Sequence, residues 1–218
     1  MDDRLTACAE LCCGKVLCDV GTDHGYLPCY MIEKGLCTKA YACDIAPGPL
    51  SSAIEHISRR GLEDKITPIL SDGLENVKKN DITDVVIAGM GGELIADIIS
   101  RCSWLKEGIN LVLQPMTKAD TLRQWLYDNG FSVKKEKACI KGRFVYSVMQ
   151  VRYEKPDYPL TGEYLHYGFV KSDTPAGKRY LRNRSERLKK IGSGLMSGGT
   201  GSSLAAELLE LSKLHENE

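Results

Sequence analysis

Short apolar runs alternate with helix-spaced stripes along the first 130 residues. Leu5, Cys8, Ala9, Leu11 and Cys12 recur at helical spacing and predict a short amphipathic helix at the start. Apolar runs then predict strands at Val16–Val20, Ala40–Asp44, Ile66–Leu70, Asp84–Ala88 and Ile109–Leu113. Between them, helical patterns fall near Tyr26–Glu33, Pro49–Arg59, Leu74–Lys78 and Glu93–Arg101, and Ala119–Asn129 follows the fifth strand. Strands that are apolar throughout must be covered on both faces. The alternation therefore predicts an α/β fold with a parallel sheet between two helical layers.

After Gly130 the pattern changes. Phe131–Ile140 and Arg143–Tyr153 read as strands joined by Lys141-Gly142, with no room for a crossover helix, so they should pair antiparallel. A five-unit α/β sheet that ends in an antiparallel hairpin resembles the Rossmann-like layout of class I methyltransferases more than that of dehydrogenases. Glu154–Gly162 carries Pro156 and Pro159 and reads as a linker. Leu181, Leu188, Ile191 and Leu195, then Leu204, Leu208, Leu211 and Leu214, predict two helices packed as a hairpin. The Gly/Ser-rich stretch Ile191–Ser203 is the expected turn, and its composition suits a mobile one. The expected organisation is a sheet domain over residues 1–155 and a helical-hairpin tail over 156–218.

Composition narrows the classes. The chain has 218 residues, 43% hydrophobic and 27% charged, which suits a globular protein rather than a disordered one. Its longest apolar runs fall far short of the ~20 residues of a membrane span, and Met1-Asp2-Asp3-Arg4 does not open like a signal peptide. There are 9 cysteines, none in a C-x-x-C pair, and none of the 4 histidines lies at ligand spacing from a second ligand. Free thiols in a reducing cytosol, with no metal and no membrane, are the expectation. The net charge is zero, but from Lys171 onward there are nine basic and six acidic residues. Such a basic helix is either a solvated face or a phosphate-binding surface.

The first strand ends in Asp19-Val20-Gly21-Thr22-Asp23-His24-Gly25. A strand, glycines and then a helix make a nucleotide-cofactor loop, because glycine lets the backbone approach a ligand that the helix N-terminus faces. The spacing departs from the dinucleotide G-x-G-x-x-G and fits the acidic-x-G-x-G-x-G loop of S-adenosylmethionine (SAM) enzymes, with Asp23 in place of the middle glycine. The sulfonium and ammonium groups of SAM favour nearby carboxylates. Asp44 ends the second strand, where an acid can accept both ribose hydroxyls, and Asp72 follows the third, where it can meet an adenine amino group. Acids at strand ends also cap helices. Ala88-Gly89-Met90-Gly91-Gly92 ends the fourth strand, leaving room either for a flat substrate or for a tight turn. No Asp/Asn-Pro-Pro-Tyr follows that strand, and Pro28-Cys29 lies in a helix, where the thiol packs.

The runs Asp19–Pro28, Ala88–Gly92 and Leu113-Gln114-Pro115 together resemble the bacterial tRNA (adenine-N1)-methyltransferases of the TrmK family, which modify adenine 22. The resemblance covers residues 4–153 closely and the tail more loosely, the latter being a tRNA-holding coiled coil in that family. It implies SAM as cofactor and tRNA as partner. Asp19, Gly21 and Gly25 then belong to the SAM loop with Thr22, Asp44 meets the ribose beside Ile45, and Asp72 meets the adenine beside Gly73, with Gly89 also on the cofactor side. Asp23 and His24 fall between the SAM methyl and the incoming base.

Adenine N1 carries an in-plane lone pair that can attack the methyl once unpaired and aligned. The product is cationic, and a carboxylate such as Asp23 would stabilise the developing charge. His24 either takes a proton from N6, orients Asp23 or caps the helix. Tyr26 either stacks on a displaced base or packs. Gln114-Pro115 either meets a base edge or stops the strand. Gly91 and Gly92 are expected on the substrate side, and Arg179 and Arg182 on the RNA. Other readings of the residues are a SAM enzyme for another substrate, a non-catalytic nucleic-acid or SAM-binding module and, least supported, an NAD enzyme.

Overall fold

The computed structural model describes residues 1–198 and 202–216. Helix α1 (Asp3–Leu11) precedes strand β1 (Val16–Val20), followed by α2 (Tyr26–Glu33), β2 (Lys39–Asp44), α3 (Pro47–Arg59) and β3 (Ile66–Leu70). Next come β4 (Asp84–Gly91), α4 (Gly92–Ser100), β5 (Asn110–Thr117), α5 (Ala119–Asp128), β6 (Phe131–Lys141) and β7 (Phe144–Tyr153). The tail is α6 (Gly162–Tyr167), α7 (Pro175–Ser197) and α8 (Ser202–Lys213).

The strands form one sheet in the order β3-β2-β1-β4-β5-β7-β6. β1 to β5 are mutually parallel, and β7 is antiparallel to both β5 and β6. This is the expected α/β layout. The apolar runs now have their reason: successive side chains feed opposite cores. Cys18, Val85, Ile87, Leu111 and Leu113 face the α4–α5 layer. Leu17, Val86 and Val112 face the α1–α3 layer.

Three expectations are corrected. Leu74–Lys78 is a turn, not a helix: buried Leu74 and Val77 imitate helical spacing, but the chain from Gly73 (φ 55°) folds back at once. Ile191–Ser197 is the last part of α7 rather than a turn. Gly192 lies within the helix, where a Cβ would stand 2.9 Å from Leu209 and 3.1 Å from the Ala205 carbonyl of α8. Gly198 caps α7, Ser202 and Ser203 open α8, and only residues 199–201 of the expected turn lie outside the described residues. Finally, α6 begins at Gly162, within and beyond the segment read as linker, and its Tyr164 joins the α4–α5 core.

The tail is tied to the sheet by one buried ion pair. Arg123 of α5 is fully buried and donates to Glu136 of β6 through two nitrogens (2.5 and 3.3 Å). It also donates to the Leu165 carbonyl (2.7 Å) and the Tyr180 hydroxyl (2.9 Å). Glu136 accepts the Phe169 amide (3.1 Å). Gly168 (φ 67°) lies so close that a Cβ would stand 2.0 Å from the Glu136 carboxylate. Arg123→Met should lower unfolding free energy by about 3–5 kcal/mol, because Glu136 would be left charged and buried. Arg123→Met/Glu136→Leu should recover part of that loss. Urea unfolding of both variants tests this.

Candidate active site

The carboxyl ends of β1 and β4 meet α1 at one crevice. After Val20 the chain turns through Gly21 (φ 72°), Asp23 (φ 54°) and Gly25 (φ 67°) into α2. Left-handed geometry suits glycine, and among other residues Asp tolerates it better than most. The turn is held from β2. Gly21 and Thr22 donate their amides to the Cys43 carbonyl (2.9 and 2.8 Å), and Asp23 donates its amide to Asp44 Oδ2 (3.1 Å). Asp44 Oδ1 accepts the Ala46 amide (3.0 Å). Asp44 thus fixes the loop from behind.

Asp19 is buried beneath the loop and accepts the Thr22 hydroxyl at 2.7 Å. Burial pushes its carboxyl up to about 6, against the pull of the Thr22 hydroxyl and the Arg4 guanidinium. A cavity of about 340 Å³ opens here, lined by Asp19, Gly21, Thr22, Asp23 and Tyr26 together with Arg4 of α1. Five predicted site residues therefore share one cavity.

On its rim, Asp23 and His24 are exposed, with His24 Nε2 3.7 Å from Asp23 Oδ1. The His24 ring stacks on Tyr26 (centroids 5.3 Å apart), which is half exposed rather than core. His56 of α3 meets Tyr26 edge-on at 5.0 Å, and its Nδ1 lies 2.8 Å from the His24 carbonyl. Arg4 and His56 were missed in the sequence. Neither lies in a motif, and each joins the site only through tertiary contact.

The other predicted residues are placed as follows. Ile45 is 64% exposed at the tip of β2, an apolar surface beside Asp44. Asp72 follows β3, and Arg101 of α4 holds its carboxylate at 3.2 Å; Gly73 packs under Ile98. Gly89 (φ 83°) lies against Arg4, its amide donating to Gln114 Oε1 (3.1 Å). Gln114 is fully buried, accepts Arg4 on the same oxygen and donates to the Pro115 carbonyl (3.1 Å), so it braces the strand ends. Pro115 is buried with it. Gly91 pairs with Thr117, and a Cβ on Gly92 would stand 2.3 Å from the Lys118 carbonyl, so Gly92 serves helix packing. Arg179 and Arg182 lie on α7, with Arg179 donating to the Arg143 carbonyl (2.6 Å) at the β6–β7 turn.

Among the described residues, no cluster of three or more His, Cys, Asp or Glu could hold a metal, and no helix is long and apolar enough to cross a membrane.

Comparison with known proteins gives these features a context. The chain is 39% identical over 121 residues to the tRNA (adenine(22)-N(1))-methyltransferase of Bacillus subtilis; the match covers 55% of this chain and about half (51%) of that relative. Streptococcus pneumoniae Sp1610, solved in complex with S-adenosyl-L-methionine, superposes with a TM-score of 0.86 at 27% identity over the whole of both chains. TrmK of M. capricolum, solved with S-adenosyl-homocysteine, has a TM-score of 0.75 at 26% identity, covering 98% of this chain and 93% of its own. The family model described as a methyltransferase domain matches residues 1–149, from α1 with Arg4 through the loop to β7. With that span matched and the sheet order observed, the chain belongs to the methyltransferase-domain family.

Proposed function

We propose that this protein transfers a methyl group from SAM to N1 of adenine 22 in tRNA, acting in the cytoplasm. The observation that carries the reading is the Gly21–Gly25 loop, clamped by Asp44 over the buried Asp19 and open to a cavity on its outer side. The residues fit the cofactor. A Cβ on Gly21 would stand 2.3 Å from the Met90 methyl, and one on Gly89 2.6 Å from an Arg4 terminal nitrogen, so glycine is required at both strand ends that border the cavity. Asp44 keeps lone pairs on both oxygens for ribose hydroxyls. Exposed Ile45 offers an apolar surface to the adenine, while Asp72 reaches that end only if it leaves Arg101.

When bound, SAM supplies an electrophilic methyl on a sulfonium. The chain's own residues do the rest by position. N1 is hidden in a base pair, so the target adenine must be unpaired or turned out. Tyr26, braced by His24 and His56, offers that base a stacking face. Asp23 stands beside the cavity, held by its backbone rather than its side chain, so its carboxylate is free to face the positive charge growing on the adenine. His24, 3.7 Å from that carboxylate, orients it. Residues 156–218 serve the RNA: α7 packs Tyr180, Leu181 and Leu188 towards Ala138 of β6 and Val145 of β7 and leaves Arg182, Arg187, Lys189 and Lys190 exposed.

Incubation with labelled SAM and unmodified tRNA should give 1-methyladenosine at position 22; no labelled tRNA nucleoside would overturn the reading. Asp23→Asn should lower kcat by about 10²-fold with little change in affinity for S-adenosylhomocysteine. Weakened affinity with normal turnover would make Asp23 a cofactor ligand instead.

The raised Asp19 carboxyl predicts a pH dependence. Asp19 would hold a positive group of SAM only as a carboxylate, and protonation below about pH 6 removes that charge. Calorimetric affinity for S-adenosylhomocysteine should therefore fall roughly tenfold per pH unit below 6. The sign for stability is opposite. The folded state holds this proton more tightly than the unfolded chain, so the Asp19 contribution to stability declines as pH rises from 4 to 6.

Reversing charge with Arg179→Glu/Arg182→Glu should raise the KM for tRNA and flatten the salt dependence of tRNA binding, leaving S-adenosylhomocysteine affinity unchanged. An unchanged KM would make that helix face a solvated surface.

A further inference from the structure

The β6–β7 hairpin carries an exposed ring that neither the cofactor loop nor the tail explains. β7 is antiparallel to both β5 and β6, so β6 runs with the parallel strands and ends, at Lys141, on their carboxyl edge. The last pair between β5 and β7 is Leu113 with Met149, whereas β6 and β7 stay paired as far as Lys141 with Phe144. Where β5 and β7 part, a cavity of about 230 Å³ opens towards α7, with Phe144, Tyr146, Arg184 and Arg187 on its walls. Phe144 is 52% exposed, more than any other Phe, Tyr or Trp among the described residues. One exposed apolar side chain is ordinary in itself. This one is held in place. The Arg143 guanidinium lies 4.9 Å from its ring centroid, Tyr146 meets the ring at 6.3 Å, and Arg179 of α7 donates to the Arg143 carbonyl at 2.6 Å.

Its position is the second observation. Lys141, opposite Phe144 across the turn, lines the cofactor-loop cavity. Residues paired in an antiparallel ladder stand about 5 Å apart and share a face of the sheet. Tyr26, half exposed, borders the same cavity from α2. The cavity thus has one exposed ring on its rim and a second beside it, on separate elements. A paired adenine brings N1 to this place only by leaving its stack, and the gap it leaves closes again unless something fills it. Side chains that hold such gaps open are apolar wedges with cations nearby for the adjoining phosphates. We infer that Phe144 is this wedge, entering the stack as adenine 22 turns out towards Tyr26. As the ring enters, Arg143 moves from its face to an adjoining phosphate, and exposed Arg187 meets the backbone on the α7 side. The inference rests on the proposed function and adds a positioning residue to it; Phe144 makes and breaks no bond. The alternative is a plain contact, in which Phe144 helps the RNA bind without helping the base turn out.

Substrate design separates the two. Initial rates of the full chain compare unmodified tRNA with the same tRNA carrying an abasic nucleotide opposite adenine 22, so that the adenine is already unpaired. Phe144→Ala should lower kcat about 10–100-fold on the ordinary tRNA, the scale of an uncompensated unstacking, with KM for tRNA within about threefold of wild type. On the abasic tRNA its kcat should return to within about threefold of wild type. Phe144→Leu, still apolar, should keep most of the rate on both. 2-Aminopurine in place of adenine 22 reads the step without turnover. Its fluorescence should rise when wild type and S-adenosylhomocysteine are added, and much less with Phe144→Ala. Equal loss of kcat on both tRNAs, a raised KM with unchanged kcat, or a full fluorescence rise with Phe144→Ala would overturn the inference. The side chain is exposed, so urea unfolding of Phe144→Ala should match wild type; a large loss of stability would make the ring structural and overturn the inference too. A wild-type chain that methylates neither tRNA at position 22 would instead refute the proposed function itself, and the wedge with it.

Discussion

The Arg123–Glu136 pair is the contact on which the C-terminal third depends. Two opposite charges with no exposure are tolerable only when both are fully hydrogen-bonded. That requirement recruits partners from every neighbouring element: Leu165 from α6, the Phe169 amide from the α6–α7 connection, and Tyr180 from α7. Gly168 is left-handed because only a bare backbone fits beside the carboxylate. The pair thus works as a register pin. It sets where α7 starts relative to β6, and so where the basic face of α7 stands relative to the end of β5. The segment between the sheet and α6 is pinned too, since the Tyr158 hydroxyl accepts the Val133 amide at 2.9 Å.

A second set of polar contacts organises the two ends of the sheet, and it shows why acids at strand ends are ambiguous in a sequence. Asp84 begins β4 and is buried. It accepts the Cys13 and Gly14 amides and the Asn110 side chain, so its role is wholly structural. Asp44 ends β2 and is nearly as buried, yet its hydrogen bonds hold a loop that borders a cavity. Asp72, of the same residue type at the corresponding end of β3, is half exposed and held by Arg101. Only the neighbours distinguish these three carboxylates.

The sheet was legible because each central strand feeds two cores and so is apolar at nearly every position away from its ends; no turn or loop imitates that for long. The helices were less so. Leu74 and Val77 are three apart and both buried, which satisfies a helical stripe without a helix. Gly192 and Gly194 resemble a turn, yet Gly192 permits the close approach of α7 and α8. The six-residue α6 is too short for a periodic signal and follows a proline-rich stretch. In the site, the loop was readable because its glycines answer to local backbone geometry. Arg4 and His56 were not, because their parts arise where distant segments meet. Gln114 was legible as special but not in its role, since its side chain turns inward to Gly89 and Arg4.

The charge balance of the crevice follows from these placements. Asp19 and Asp23 border the cavity and Asp44 stands behind the loop, with Arg4 the cation that faces Asp19. On the proposed reading, this excess of carboxylates meets a cofactor that carries a sulfonium and an ammonium against one carboxylate. Methyl transfer removes the sulfonium charge and moves it to the adenine. The attraction that held the cofactor weakens in the same step that creates a cation near Asp23. Burial makes this shift count, because Asp19 is screened little by water and its charge acts over short range at low effective dielectric. The same acids that favour SAM on entry therefore hold its neutral product less tightly, and no moving part of the protein is needed for that difference.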